Sequence, residues 1–166
     1  LRGQRVLLLG AGGATRGVVL PLLAADPAAL IIANRTAAKA EMLAQLFSSK
    51  SETTAIYGCG LDALSADTNR HGAFDLVINA TSASLNGAAI DLPPGTLRAH
   101  GFAYDMMYGK VLTPFLDAQK TAGVLHLADG LGMLVEQAAV AFALWRGVTP
   151  ETQPVYRALR ERLARH

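Results

Sequence analysis

Short apolar runs alternate with longer stretches of helical spacing along this chain. Val6-Leu7-Leu8-Leu9 is a bounded run with no polar face, the pattern of a parallel strand buried on both sides. Leu30-Ile31-Ile32-Ala33, Leu76-Val77-Ile78, Phe102-Ala103-Tyr104 and Val124-Leu125-His126-Leu127 repeat it, and Ala55-Ile56-Tyr57 is a weaker copy. Between them, Val18, Leu22 and Ala25 predict a helix from Gly13 to about Ala25, with Pro21 demanding a bend. Thr36 to Phe47 predicts an Ala-rich helix with Thr36 as N-cap and Met42, Leu43 and Leu46 on one face. Thr113 to Ala122 predicts another, and two helices close the chain: Met133 to Trp145, and Thr149 to Ala164 with Pro150 in its first turn.

Strands and helices in alternation require right-handed crossovers, which place helices on both faces of a mainly parallel sheet. The expectation is an α/β fold: one doubly wound, Rossmann-type domain over residues 1–166, with six strands. Ligands of such sheets bind beyond the carboxyl ends of the strands, so the residues after Leu9, Ala33, Ile78 and Tyr104 carry the chemistry.

Composition narrows the class. Of 166 residues, 51% are hydrophobic and 17% charged, which excludes a disordered chain. A net charge of +2, with the excess in Arg157, Arg160, Arg162 and Arg165, argues against nucleic acid as partner. Cys59 is the single cysteine, and His71, His100, His126 and His166 are too dispersed for a local metal-ligand spacing, so a reducing compartment and a metal-free site are expected. No apolar stretch is long enough for a membrane span, and the N-terminal apolar run is too short for an export signal, which predicts a cytoplasmic protein. The chain starts without methionine and almost at its first strand, so a segment upstream is expected to be missing.

Gly10-Ala11-Gly12-Gly13-Ala14-Thr15-Arg16-Gly17 leaves the first strand and enters the first helix, where glycines let a pyrophosphate approach backbone N–H groups. It departs from the strict G-x-G-x-x-G spacing, since Thr15 holds the third glycine's place. The second strand ends in Asn34-Arg35-Thr36, with Lys39 one turn on and no carboxylate between Asp26 and Glu41. An NAD site would hold the ribose hydroxyls with an acidic residue there, so NADP is implied: Arg35 forks onto the 2′-phosphate or stacks on adenine, and Thr36 donates its hydroxyl. Lys39 is either a further phosphate charge or a solvated lysine. Asn79-Ala80-Thr81-Ser82 suits a close approach to a nicotinamide or merely a turn. Met106 either covers the nicotinamide ring or packs the core, and Tyr108 can reach a polar substrate. In Asp129-Gly130-Leu131-Gly132-Met133-Leu134-Val135-Glu136-Gln137, two glycines precede an apolar helix, and Gln137 faces the same crevice if that helix starts near Leu131.

These runs, with Tyr104-Asp105-Met106-Met107-Tyr108, resemble in order the NADP-binding half of shikimate dehydrogenase, a family that reduces 3-dehydroshikimate to shikimate with NADPH. The resemblance implies pyrophosphate binding at Gly10, Ala11, Gly12, Gly13 and Ala14. It places Asn34, Arg35, Thr36 and Lys39 at the 2′-phosphate and adenine, Asn79, Thr81, Met106 and Gly130 along the cofactor, and Tyr108 and Gln137 on the substrate. Gly109-Lys110-Val111-Leu112 departs from the family's usual pattern after the tyrosine. The family's catalytic lysine and aspartate belong to an N-terminal domain, and none of Lys39, Lys50, Lys110 or Lys120 sits in a matching motif. The resemblance therefore implies no catalytic residue in this chain, and a substrate shared with an absent N-terminal domain. Homodimerisation stays open. Two alternatives remain: a quinate/shikimate dehydrogenase, which usually favours NAD and carries an acidic residue in Arg35's place, and a non-catalytic NADP-binding sensor.

Overall fold

The computed structural model describes residues 1–83 and 90–165. Six parallel strands form one sheet in the order β3-β2-β1-β4-β5-β6. They are β1 (Arg5–Leu9), β2 (Ala29–Asn34), β3 (Ala55–Gly60), β4 (Phe74–Asn79), β5 (Leu97–Asp105) and β6 (His126–Asp129). Strand order reverses between β1 and β4, and the register Leu9↔Ala33 and Leu9↔Asn79 brings the ends of β1, β2 and β4 level at that switch.

The alternating side chains of the central strands feed two cores. Val6, Leu8, Leu30 and Ile32 pack under Val19 and Leu23 of α1 (Gly13–Ala24) and Ala40, Leu43 and Phe47 of α2 (Ala37–Phe47). Leu7, Leu9, Ile31 and Val77 pack on the opposite face with Leu64 of α3 (Leu64–His71) and Phe115 and Leu116 of α4 (Pro114–Thr121). Helices on both faces of a wholly parallel sheet make this the doubly wound α/β fold expected from the pattern. Two helices close the chain, α5 (Leu131–Arg146) and α6 (Thr152–Arg165).

Several boundaries differ from the periodicity. Helix α3 is not signalled, because Leu64 is its one buried residue and a helix tethered so sparsely shows no apolar stripe. Strand β6 starts at His126: Gly123, at φ 89°, ends the turn after α4, and the buried Val124 bonds back to the Gln119 carbonyl instead of joining the sheet. Helix α5 begins two residues early, at Leu131, and α6 begins at Thr152, leaving Pro150 ahead of it rather than in its first turn. Pro21 stays inside a continuous α1 on an exposed side of the helix. Among the described residues no helix is long and apolar enough to cross a membrane. His166 lies outside the described residues.

Candidate functional site

The site is built where β1 gives way to α1. The Gly10 amide donates to the Ala33 carbonyl at 2.8 Å, and Gly10 takes φ 102°, a left-handed turn that a side chain would strain. A Cβ there would also press on Thr81 Cγ2 at 3.0 Å, so the β4 loop closes over the turn. Thr15 is fully buried and its hydroxyl donates to the Gly10 carbonyl at 3.0 Å. The residue that breaks the glycine spacing thus staples the loop to the first turn of the helix.

Gly12 stands at the N-cap of α1 with no side-chain cap bond, and beside both Gly12 and Gly13 there is open space. The first-turn amides of α1 therefore face an open, positively polarised helix end, the arrangement that takes a phosphate group. Ala11 completes this loop, and Ala14 is the second residue of α1.

At the end of β2, Asn34 Nδ2 donates to the Thr36 carbonyl at 3.0 Å, which shapes the turn presenting Arg35. Thr36 occupies the N-cap position of α2 as expected, yet its hydroxyl makes no capping bond. Arg35, Thr36 and Lys39 are exposed, and among the described residues no ion pair engages Arg35 or Lys39. Lys39 shares a groove of about 460 Å³ with Ala11, Arg16 and Met42. Arg16 was read from the sequence only as part of the glycine run; its place one helical turn after Gly12, facing α2, was the signal available.

The opposite wall is formed by β4, β5 and β6. Asn79 is fully buried, and its Oδ1 accepts from the Thr81 amide at 3.1 Å and the Thr81 hydroxyl at 2.7 Å. Thr81 is thus a turn former held against Gly10. Met106 is half-buried against the core beneath α1 and α2, and Tyr108 is exposed in a groove with Leu131 and Leu134. Burial raises the Tyr104 phenol above its ordinary range, with Asp129 and Asp105 adding to it.

Gly130 acts differently from the expectation that it opens the N-terminus of α5, and Gly132 lies inside that helix. Asp129 Oδ1 accepts from the Leu131 amide at 3.2 Å, and the Gly130 amide donates to the Met107 carbonyl at 3.0 Å. A Cβ on Gly130 would lie 2.6 Å from the Met106 carbonyl carbon, so this glycine is required by the close approach of β5's exit. Gln137 is exposed one turn beyond Leu134, on the face that continues from the Tyr108 groove. A cavity of about 620 Å³ lies elsewhere, among loop 109–112, Met133, Glu136, Tyr156 and Arg160. Its guanidinium is committed to Asp129 through contacts at 2.5 and 2.8 Å, which raise the Arg160 pKa and leave the cavity with no free cation of its own at that residue.

Residues 1–87 match the sequence profile of the family described as shikimate / quinate 5-dehydrogenase, and residues 130–160 match the shikimate 5'-dehydrogenase C-terminal domain. The chain is 56% identical over 163 residues to a shikimate dehydrogenase (NADP(+)) of Dechloromonas aromatica, an alignment covering 98% of this chain and 57% of that one. Among solved structures it is similar to an Ael1 enzyme from Pseudomonas putida, with TM-score 0.82 and 49% identity over 96% of this chain and 55% of that one. It is also similar to shikimate 5-dehydrogenase from Thermus thermophilus in complex with shikimate, with TM-score 0.71 and 34% identity over 95% of this chain and 54% of the other. The chain thus spans little more than half the length of the relatives it matches. Its glycine turn, its basic second-strand end and these matches agree: the chain belongs to the shikimate / quinate 5-dehydrogenase family.

Proposed function

We propose that residues 1–166 are the NADP-binding half of a cytoplasmic shikimate dehydrogenase, which reduces 3-dehydroshikimate to shikimate once joined to a substrate domain. The observation that carries the reading is the end of β2, where Arg35, Thr36 and Lys39 are exposed without a carboxylate between Asp26 and Glu41. That end suits a 2′-phosphate and lacks the carboxylate that would accept from the bare ribose hydroxyl of NAD. The open turn at Gly10 to Ala14 and the uncapped α1 fit a pyrophosphate. When bound, the cofactor supplies the hydride.

The chain's own residues bind and orient. Arg35 and Lys39 hold the phosphate, and Asn34 fixes the turn that presents them. Met106 and Gly130 form the floor beneath the nicotinamide, with Asn79 and Thr81 beside it. Tyr108 and Gln137 contact the substrate hydroxyls from one face. The group that moves the carbinol proton comes from the remaining part of the enzyme, so this chain presents one wall of the reaction cleft. The open sheet face over β5 and β6 supports a further element packing there: Phe102 is 40% exposed and stacks on the exposed His126 beside a groove of about 510 Å³.

The test is NADPH formation followed by absorbance. The chain alone, given NADP⁺ and shikimate, binds the cofactor but shows no turnover above a protein-free blank. Turnover that copurifies with the chain contradicts the division of labour, and failure to bind NADP⁺ contradicts the cofactor assignment.

A further inference from the structure

One buried carboxylate ties together the ends of β4 and β5 and the start of α4, and the cofactor contacts above leave it without a role. Asp105, the last residue of β5, is fully buried. Its Oδ1 accepts from Asn79 Nδ2 at 3.1 Å and from the Met107 amide at 3.0 Å. Its Oδ2 accepts from the Thr113 hydroxyl at 2.5 Å. That hydroxyl also accepts from the Leu116 amide at 3.3 Å, as the N-cap of α4.

The result is a clasp. Asp105 and Thr113 are eight residues apart, and the bond between them closes the loop that carries Met106, Met107 and Tyr108. Inside the loop, the Met106 amide donates to the Asn79 carbonyl at 2.9 Å and the Met107 carbonyl accepts from Gly130. Three main-chain atoms of the two methionines are therefore held, one of them by the carboxylate itself. Fixing a loop in this way lowers the ordering cost when a ligand lands on it.

We propose that Asp105 and Thr113 are positioning residues that set the Met106–Tyr108 loop for the nicotinamide end of the cofactor, with no part in holding its adenine end. The inference rests on the NADP reading given above. It follows from where the clasp sits: Asp105 is at the β5 end, whereas Arg35 and Lys39 lie beyond β2, on the other side of β1 in the sheet order. Thr113→Val removes the donated proton at nearly constant volume, and Thr113→Ser keeps it. Asp105→Asn turns one accepting oxygen into a donor, so either Thr113 or the Asn79 and Met107 pair loses its acceptor.

Calorimetry with NADP⁺ and with adenosine 2′,5′-bisphosphate, which lacks the nicotinamide half, separates positioning from general damage. Thr113→Val and Asp105→Asn are expected to weaken NADP⁺ by about tenfold to a hundredfold, as for a lost hydrogen bond to a charged group. Adenosine 2′,5′-bisphosphate should change by less than about twofold, and Thr113→Ser should restore NADP⁺ to within about twofold of the parent. Equal weakening of both ligands, an unchanged NADP⁺ affinity, or failure of Thr113→Ser to rescue overturns the proposal. A parent chain that binds the bisphosphate but not NADP⁺ also overturns it, whereas binding of neither ligand removes the cofactor reading beneath it. Should Asp105→Asn unfold, the two Thr113 variants decide the matter alone.

Discussion

Replacing Gly130 by alanine tests how tightly the strand ends are packed. Gly130 has φ −75° and ψ 0°, so alanine meets no conformational barrier there and the penalty is purely one of contact. The new methyl carbon would stand 2.6 Å from the Met106 carbonyl carbon and 3.2 Å from its Cα. Nonbonded carbons settle at roughly 3.5–4.0 Å, so the Met106 backbone and the α5 N-terminus must separate by about 1 Å. Overpacking of this kind costs about 1–3 kcal/mol, and stretching the bond from Gly130 to Met107 adds about 0.5–1.5 kcal/mol. The expected loss is therefore about 2–4 kcal/mol in urea unfolding, or a drop in Tm of roughly 5–15 °C for a domain of this size. Gly132→Ala is the control, because the nearest atom to its added carbon is the Tyr156 ring at 4.0 Å. In the first turns of α5 it should gain about 0.5–1 kcal/mol. Gly130→Ala within about 0.5 kcal/mol of the parent would refute the close packing on which the Met106 floor depends.

Two further predictions concern groups on the edge strand β3. Burial, followed by the charges of Asp67, Asp62 and Glu41, pushes the Cys59 thiol up to about 11 from 9.0, so alkylation in the folded protein at pH 8 should be far slower than in urea; equal rates contradict this. Burial, then the hydrogen bond to Asp67, pushes Tyr57 up to about 12 from 10.0. Both groups keep their protons in the folded state where the unfolded chain has lost them, so the stability they contribute is full below pH 9 and declines as pH rises through 9–11 for Cys59 and 10–12 for Tyr57. Urea midpoints should fall across that window and fall less steeply in Tyr57→Phe; a flat profile in the parent contradicts the burial of both side chains.

The sheet was legible because each of its strands overlaps an apolar run and the run at β1 is followed by glycine. The basic end of β2 was legible for a related reason: position after a strand makes Arg35 informative where composition does not. Much of the remainder depended on long-range contact. Thr15 reads as a defect in the glycine spacing until its hydroxyl is seen on the Gly10 carbonyl. Gly130 reads as an opening for ligand until Met106 is found against it. Asp105 carried no role in the sequence, because its side-chain donors Asn79 and Thr113 come from distant positions that no local periodicity connects. Helix α3 escaped because it buries one side chain, and β6 was drawn too early because Val124 and Leu125 extend its apolar run beyond the hydrogen-bonded ladder.

The central claim is that the end of β2 selects a 2′-phosphate, and calorimetric titration of the chain with NADP⁺ and NAD⁺, with and without Arg35→Ala, tests it most directly. The parent should bind NADP⁺ more tightly than NAD⁺. Arg35→Ala should weaken NADP⁺ by about tenfold to a hundredfold, the equivalent of about 1.5–3 kcal/mol for a charge-assisted contact, and leave NAD⁺ nearly unchanged. Equal affinities in the parent, or an equal loss for both cofactors in Arg35→Ala, would contradict the claim and assign Arg35 to the adenine or to the fold.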